Sequence, residues 1–140
     1  MRKYMLTVLV LASVAFAQGQ APVRKKLLAL GDTHTGYTHD SIGHALAVID
    51  HLGRESGVYD TYIRTDSQWI TKQPVPAPAR NTKNLNDFDA VFLFISGEGD
   101  WSDQQKKDFV SFVKEDGKGV VGAHTGNGGD RKSTRLNSSH

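Results

Sequence analysis

The apolar residues of the chain form two kinds of pattern, short continuous runs and helically spaced stripes. Residues 27–30 (LLAL) and 90–96 (AVFLFIS) are apolar without alternation, which is typical of strands buried on both faces of a parallel sheet. Between them, Ile42 opens a stripe with i, i+3, i+4, i+7 spacing that extends to Leu52 and predicts an amphipathic helix ended by Gly57. The middle of the chain therefore combines buried strands with covering helices.

Further segments complete an alternating order. Residues 58–64 (VYDTYIR) have strand composition, and the prolines at 74, 76 and 78 exclude regular structure after them. Residues 102–105 fit an S-x-x-Q capping box and open a helix with four predicted inward-facing residues, Phe109, Val110, Phe112 and Val113. Residues 119–124 (GVVGAH) form the next predicted strand. This β-α-β-linker-β-α-β order predicts an open, doubly wound, flavodoxin-like α/β parallel sheet.

Polar residues suited to catalysis or binding follow the predicted strands. In open α/β sheets, ligands bind in the crevice outside the carboxyl ends of the strands. The loop after the first strand, the loop after the third strand and the end of the fourth strand are therefore expected to converge. Together they carry Asp32, His34, Tyr37, His39, Asp40, Glu98, Asp100, Trp101 and His124.

Several of these residues also have a structural interpretation. Asp40 is placed to cap the following helix, where a carboxylate also meets the positive end of the helix dipole. Glu98 is flanked by glycines and fits a turn, and His124 closes an apolar strand, where it fits a hydrogen-bonded core histidine. Trp101 precedes the capping box, and a partly exposed ring there would stack on the face of a sugar.

The amino-terminal segment is predicted to lie outside the folded domain. Two basic residues precede an apolar run at 5–16, and the following Ala-Phe-Ala at 15–17 fits cleavage by signal peptidase. Residues 1–17 are therefore expected to be a cleaved export signal, and residues 18–24 a polar lead-in. The run is shorter than the about 20 apolar residues that span a bilayer. We expect a periplasmic or extracellular protein with no stable membrane anchor after cleavage.

The carboxyl-terminal segment is also expected to be foreign to the fold. Residues 130–140 (DRKSTRLNSSH) resemble the conceptual translation of a common sequencing-library adapter. On this interpretation the α/β domain spans residues 25–129 and is truncated at its carboxyl end. The native chain would then continue beyond about residue 129, and further domains of that longer chain are candidate partners.

Charge and cysteine content narrow the classes of function. Residues 18–129 carry 12 Lys and Arg against 14 Asp and Glu, so no basic surface for nucleic acid is expected. The chain has no cysteine, which excludes both a disulfide framework and a thiol nucleophile. Nucleic acid is therefore not an expected partner.

One enzyme class matches two short motifs. Asp32-x-His34 at a strand end, followed by residues 99–103 (GDWSD), resembles the D-x-H and G-D-x-x-D motifs of calcineurin-like metallophosphoesterases. Carboxylate and imidazole ligands at strand ends would suit a two-metal hydrolytic site.

A second resemblance covers nearly the whole of residues 25–129. The segments 37–42 (YTHDSI), 88–94 (FDAVFLF), 102–113 (SDQQKKDFVSFV) and 122–124 (GAH) resemble the trehalose-utilisation ThuA-like family, in order and at suitable spacing. That family's pattern has an [FY]-x-H-D-S-I helix start, an apolar strand, an amphipathic helix and a glycine-rich strand ending in G-x-H. The resemblance implies a class I glutamine-amidotransferase-like sheet and a role in carbohydrate metabolism.

The ThuA-like resemblance also implies roles for individual residues. His39 and His124 match the family's H-D-S and G-x-H histidines and are the expected catalytic residues, together with Asp40. The same two histidines and Asp32 are the expected ligands if the protein uses a divalent metal such as zinc. Asp32 or Asp40 would orient an imidazole. Because histidine both titrates near neutral pH and ligates zinc, acid–base work and metal ligation remain open.

The expected substrate is a small carbohydrate, for which Tyr37, Glu98 and Trp101 are the predicted binding residues. The alternative from a different class is a non-catalytic carbohydrate-binding or scaffolding module of a longer secreted protein. In that case Tyr37 and Trp101 would carry the affinity by stacking, and the histidines would be replaceable. The calcineurin-like metallophosphoesterase is the third candidate.

Overall fold

The computed structural model describes residues 22–34, 38–76, 78, 82–95 and 100–123. Within these ranges the chain forms one sheet of four parallel strands with helices packed against it. In chain order the elements are β1 (Lys25–Leu30), α1 (Ser41–Ser56), β2 (Tyr59–Arg64), a 3-10 turn (Leu85–Asp87), β3 (Ala90–Leu93), α2 (Asp103–Lys114) and β4 (Gly119–Gly122).

The strands lie in the order β2-β1-β3-β4, and each neighbouring pair is parallel. This is the order of the first four strands in flavodoxin-like sheets. The crossover from β1 to β2 runs in one direction and the crossover from β3 to β4 in the other, which places α1 and α2 on opposite faces. The predicted doubly wound α/β sheet is confirmed.

One face of the sheet, covered by α2, holds a cluster of buried apolar side chains. Phe88 is 1% exposed within it, with Tyr62 edge-on at 5.4 Å and Trp69 stacked at 5.9 Å between ring centroids. The strands, the 3-10 turn, α2 and the segment after β2 supply the other members, Leu28, Leu30, Ile70, Leu85, Val91, Leu93, Ile95 and Phe112. The 3-10 turn is too short for periodicity to reveal it; Leu85 anchors it in this core, and a capping box between Asn84 and Asp87 closes its start.

The other face is covered by α1. Ile42 and Leu46 of the helix pack against Ala29, Phe92 and Phe94. β1 and β3 are therefore buried on both faces, which confirms the prediction made from their continuous apolar runs.

The predicted apolar stripe of α1 is confirmed except at the carboxyl-terminal end of the helix. Leu52 is 47% exposed, whereas Gly53 is buried. The helix therefore approaches β2 through Gly53, and the prediction that Leu52 lies on the inward stripe is wrong. Gly57 ends the helix in the left-handed conformation, as predicted, with φ of 67°.

The inward face of α2 is narrower than predicted. Phe112 is buried and Phe109 partly buried, but Val110 is 49% exposed and Val113 38% exposed. An amphipathic stripe with i, i+3, i+4 spacing covers an arc of roughly 100°, whereas these four residues together span a wider arc and cannot all face inward. The inward position one turn before Phe112 is occupied by Asp108, which is 5% exposed.

Gly53 marks a close approach of α1 to β2. A Cβ atom there would lie 2.6 Å from the ring of Tyr59 and 2.8 Å from the Tyr59 carbonyl oxygen. We expect Gly53→Ala to lower the free energy of unfolding by about 2 kcal/mol, because a backbone oxygen cannot move aside without shifting the strand. Gly43 on the same helix has open space around it, so Gly43→Ala should raise that free energy by about 1 kcal/mol. Urea denaturation measures both, and equal effects would contradict the close approach.

Candidate functional site

The strand order places a crevice at the carboxyl ends of β1 and β3. These neighbouring strands send their connections in opposite directions, and the ends of such a pair form the usual ligand site of a doubly wound sheet. Beyond β3, the N–H of Phe94 donates to the carbonyl of Leu30 at 2.8 Å, so the pairing continues to the edge of the crevice.

Asp32 lies at the base of this edge, two residues after β1. Its residue exposure is 2%, and its Oδ1 accepts the backbone N–H of His34 at 2.8 Å. The loop after β1 is also held by the end of β2, because the N–H of Thr33 donates to the carbonyl of Thr65 at 3.3 Å. The Asp32 carboxylate is therefore fixed in the turn, whereas His34 is exposed.

His39 lies over the end of β3. Its ring centroid is 6.3 Å from that of Phe94, with the ring planes tilted by 37°, and its carbonyl accepts the N–H of Ile42 at 3.1 Å. The start of α1 thereby brings a half-buried imidazole to the point where β1 and β3 diverge.

Asp40 lies at the N-cap position of α1 but its side chain makes no capping hydrogen bond. Its backbone is already helical, with φ of −58° and ψ of −26°, whereas a side-chain cap normally requires extended backbone. Ser102 at the start of α2 shows the contrast, because it is extended and forms the predicted capping box with Gln105. The capping interpretation of Asp40 is thus wrong, and its carboxylate is exposed beside His39.

Trp101 has a packing role that the sequence did not reveal. Its ring meets Phe109 edge-on at 5.1 Å between centroids, and it is partly buried against the core. Its Nε1 is buried and has no hydrogen-bond partner among the described residues. A hydrophobic staple pairs the residue before the cap with Lys106, so a contact with Phe109 lies outside that pattern.

Sequence reasoning missed a charged cluster at the end of β2. The Arg64 guanidinium lies 4.7 Å from the ring centroid of Trp69 and forms an ion pair with Asp66. Burial acts to raise the pKa of Asp66, but hydrogen bonds from Arg64 and the N–H of Gln68, with the charges of Arg64 and His34, outweigh it and lower the pKa. The only sequence signal was an arginine ending a strand two residues before an aspartate.

Three predicted site residues, Tyr37, Glu98 and His124, lie outside the described residues. The residues that the structure brings to the crevice edge are Asp32, His39 and Asp40. Within the described ranges, no group of three or more His, Asp or Glu side chains is arranged to hold a metal ion. These residues alone therefore do not form a zinc site, and zinc stays a prediction.

The described part of the chain is an open parallel α/β sheet of flavodoxin-like strand order with Asp32, His39 and Asp40 at its switch point. Comparison with models of protein families, with curated proteins and with solved structures gave no match. Neither of the two described helices combines the length and the apolar character that crossing a membrane requires.

Proposed function

We propose that this chain is an exported ThuA-like domain that binds, and in its enzymatic form acts on, a sugar or sugar derivative in the crevice between β1 and β3. The observation that supports this most is the position of His39 against Phe94, beside the end of the strand that leads to the buried Asp32. An imidazole and carboxylates at a switch point can bind sugar hydroxyls and exchange protons with them.

His39 is the proposed acid–base group of the enzymatic form. Asp40 follows it directly and is exposed, so its carboxylate is available either to orient the imidazole or to accept a sugar hydroxyl. Asp32 keeps the loop after β1 in place through the N–H of His34. If a divalent metal such as zinc binds, His39, Asp32 and His124 would hold it, and it would polarise a substrate oxygen.

The charges near the crevice favour a neutral sugar over a phosphate ester. Asp32 and Asp40 are acidic, and the guanidinium of Arg64 at the end of β2 is already paired with Asp66. A phosphate group would need an uncommitted cation or several backbone N–H groups to bind tightly. The metallophosphoesterase alternative, in which bound metal ions would supply that positive charge, stays a prediction.

Isothermal calorimetry of the purified protein tests the proposal. The ligands are glucose, trehalose and maltotriose, with glucose 6-phosphate as the anionic comparison. We expect at least one neutral sugar to bind and the phosphorylated sugar to bind more weakly. Failure of all three neutral sugars to bind would contradict the proposal.

Turnover separates the enzyme from the non-catalytic module. Loss of sugar conversion in His39→Ala and in His124→Ala, measured at sugar concentrations that saturate each variant, supports the enzyme. The non-catalytic module is supported if the protein binds sugar without converting it. In that case the double histidine variant should bind sugar as the wild type does, and a Trp101 variant should not bind it. Trp101→Phe is the better Trp101 variant, because alanine would also remove the contact with Phe109.

A further inference from the structure

A groove of about 650 Å³ lies between the segment after β2 and the first turn of α2. Its walls combine side-chain amides, hydroxyls and apolar surface, contributed by Gln68, Gln73, Gln104, Thr71, Ser102 and Pro74. Among the described residues that line it, none is Asp, Glu, Lys, Arg or His. The volume is within the range of roughly 300–1,000 Å³ that small-molecule sites occupy.

One wall of the groove is held rigid by hydrogen bonds. Gln105 uses both ends of its amide, because its Oε1 accepts the N–H of Ser102 at 2.9 Å and its Nε2 donates to the carbonyl of Ser67 at 2.7 Å. The Nε2 of Gln104 donates to the buried Asp108 at 2.8 Å. The Gln104 carbonyl oxygen is thereby held in a fixed orientation at the groove.

The opposite wall carries the side-chain amides of Gln68 and Gln73. The side chains of Gln68 and Gln73 make no hydrogen bond to any described residue, although the backbone N–H of each is bonded, to Asp66 at 3.0 Å and to Thr71 at 3.0 Å. Their backbones are thus anchored while their amides remain available. Each amide supplies both donors and an acceptor.

The chemistry of these walls selects the kind of ligand. Amides and hydroxyls match sugar hydroxyl groups, which donate and accept at once, and the proline rings and Val75 offer apolar surface for C–H faces of a sugar ring. A phosphate or carboxylate would find no counter-charge among the described lining residues. The described walls therefore suit a ligand that is neutral and rich in hydroxyl groups.

The groove borders the crevice through one short loop. In the loop after β1, the N–H of Thr33 donates to the carbonyl of Thr65 at 3.3 Å, and the next residue, Asp66, accepts the backbone N–H of Gln68 at 3.0 Å. The next carbonyl, that of Ser67, is held by Gln105 of α2. Residues 65–68 therefore have the loop after β1 on one side and the groove on the other.

We propose that this groove is a second sugar subsite, which takes a further neutral sugar unit of an oligosaccharide whose first unit lies in the crevice at His39. This inference rests on the proposed sugar-binding function and adds to it that the natural ligand has at least two sugar units.

Side-chain amide NMR signals of ¹⁵N-labelled full chain test the subsite. The titrants are trehalose, maltotriose, cellotriose and glucose, and the His39 ring signals are followed in the same samples. We expect one or more of the oligosaccharides to shift the Gln68 and Gln73 amide signals as well as those of His39, whereas glucose shifts His39 alone. The double variant Gln68→Ala/Gln73→Ala should weaken oligosaccharide binding by about tenfold and leave glucose binding unchanged. Lys107→Ala, exposed on α2 outside the groove, is the control and should change neither.

The outcomes separate the subsite from the proposed function. If oligosaccharides shift His39 but leave both glutamine amides unchanged, the subsite is wrong and the crevice function stands. If the glutamine amides shift while His39 does not, the groove binds sugar but the proposal of a site continuous with the crevice fails. If no signal responds to any of the four sugars, both proposals are overturned.

Discussion

Replacing Asp108 by alanine is expected to lower the free energy of unfolding by about 3 kcal/mol. Its Oδ2 accepts the Oγ1–H of Thr71 and the N–H of Lys72, each at 2.8 Å, and its Oδ1 accepts the amide of Gln104. Alanine would leave these donors without a partner beside the core, where an unsatisfied donor costs about 1–3 kcal/mol. Urea denaturation measures the loss, and a change below about 1 kcal/mol would contradict the role of Asp108 in joining this segment to α2.

The matched variant Asp108→Asn separates the charge from the hydrogen bonds. Its carbonyl can still accept from Thr71 and Lys72, and Gln104 can rotate its amide to accept from the new NH₂ group. Burial acts to raise the pKa of Asp108, but the hydrogen bonds from Lys72, Thr71 and Gln104 and the charge of Lys72 outweigh it, so the pKa is lowered.

The lowered pKa gives the stability a defined pH dependence. A carboxyl with a lower pKa in the folded state stabilises the fold fully above its unfolded pKa, about 3.9, and loses that contribution as pH falls through the folded value. The difference in unfolding free energy between wild type and Asp108→Asn should therefore be constant above about pH 5 and shrink below about pH 4. A difference that grows in acid would contradict the lowered pKa.

Replacing His39 by alanine is expected to weaken sugar binding by about thirtyfold, or roughly 2 kcal/mol. The imidazole is the side chain that the start of α1 brings to the end of β3, and alanine would remove its hydrogen bonds to the ligand. Calorimetry with the tightest-binding neutral sugar measures the change. His39→Gln keeps a hydrogen-bonding side chain and should lose less affinity.

His51→Ala is the matched control for His39. His51 is exposed on α1, where its Nε2 lies 3.3 Å from Glu55. It follows the helix start by about three turns, so it lies well away from the crevice. Its replacement should leave sugar affinity unchanged, and urea denaturation should show all three variants folded. Equal losses of affinity in His39→Ala and His51→Ala would contradict the assignment of His39 to the sugar site.

Local pattern predicted most of the architecture because each element is encoded within its own segment. The apolar runs at 27–30 and 90–96 marked the central strands, and the stripe from Ile42 marked α1. Gly57 and the Ser102–Gln105 capping box marked helix ends correctly. The alternating order of strands and helices then allowed few sheet topologies, because crossovers between parallel strands are right-handed.

The errors came from contacts between distant segments. Asp108 is buried because Thr71 and Lys72, more than 35 residues away, donate to it, and no helical period reveals such partners. The pairing of Arg64 with Asp66 and Trp69 is local in sequence, but it depends on how the chain turns after β2, which residue spacing does not reveal. Sequence spacing predicted the parallel strands whose carboxyl ends share one edge of the sheet, but not which charges neutralise each other there.

The most direct test of the central claim is a titration of the wild-type protein with neutral sugars, followed by the ring signals of its histidines in ¹H–¹³C NMR. The account predicts that the His39 ring signals shift on saturable binding of a neutral sugar while those of His51 stay in place. If the His39 ring signals do not move when sugar is added, or if they move as much as those of His51, the result would contradict a sugar site between β1 and β3.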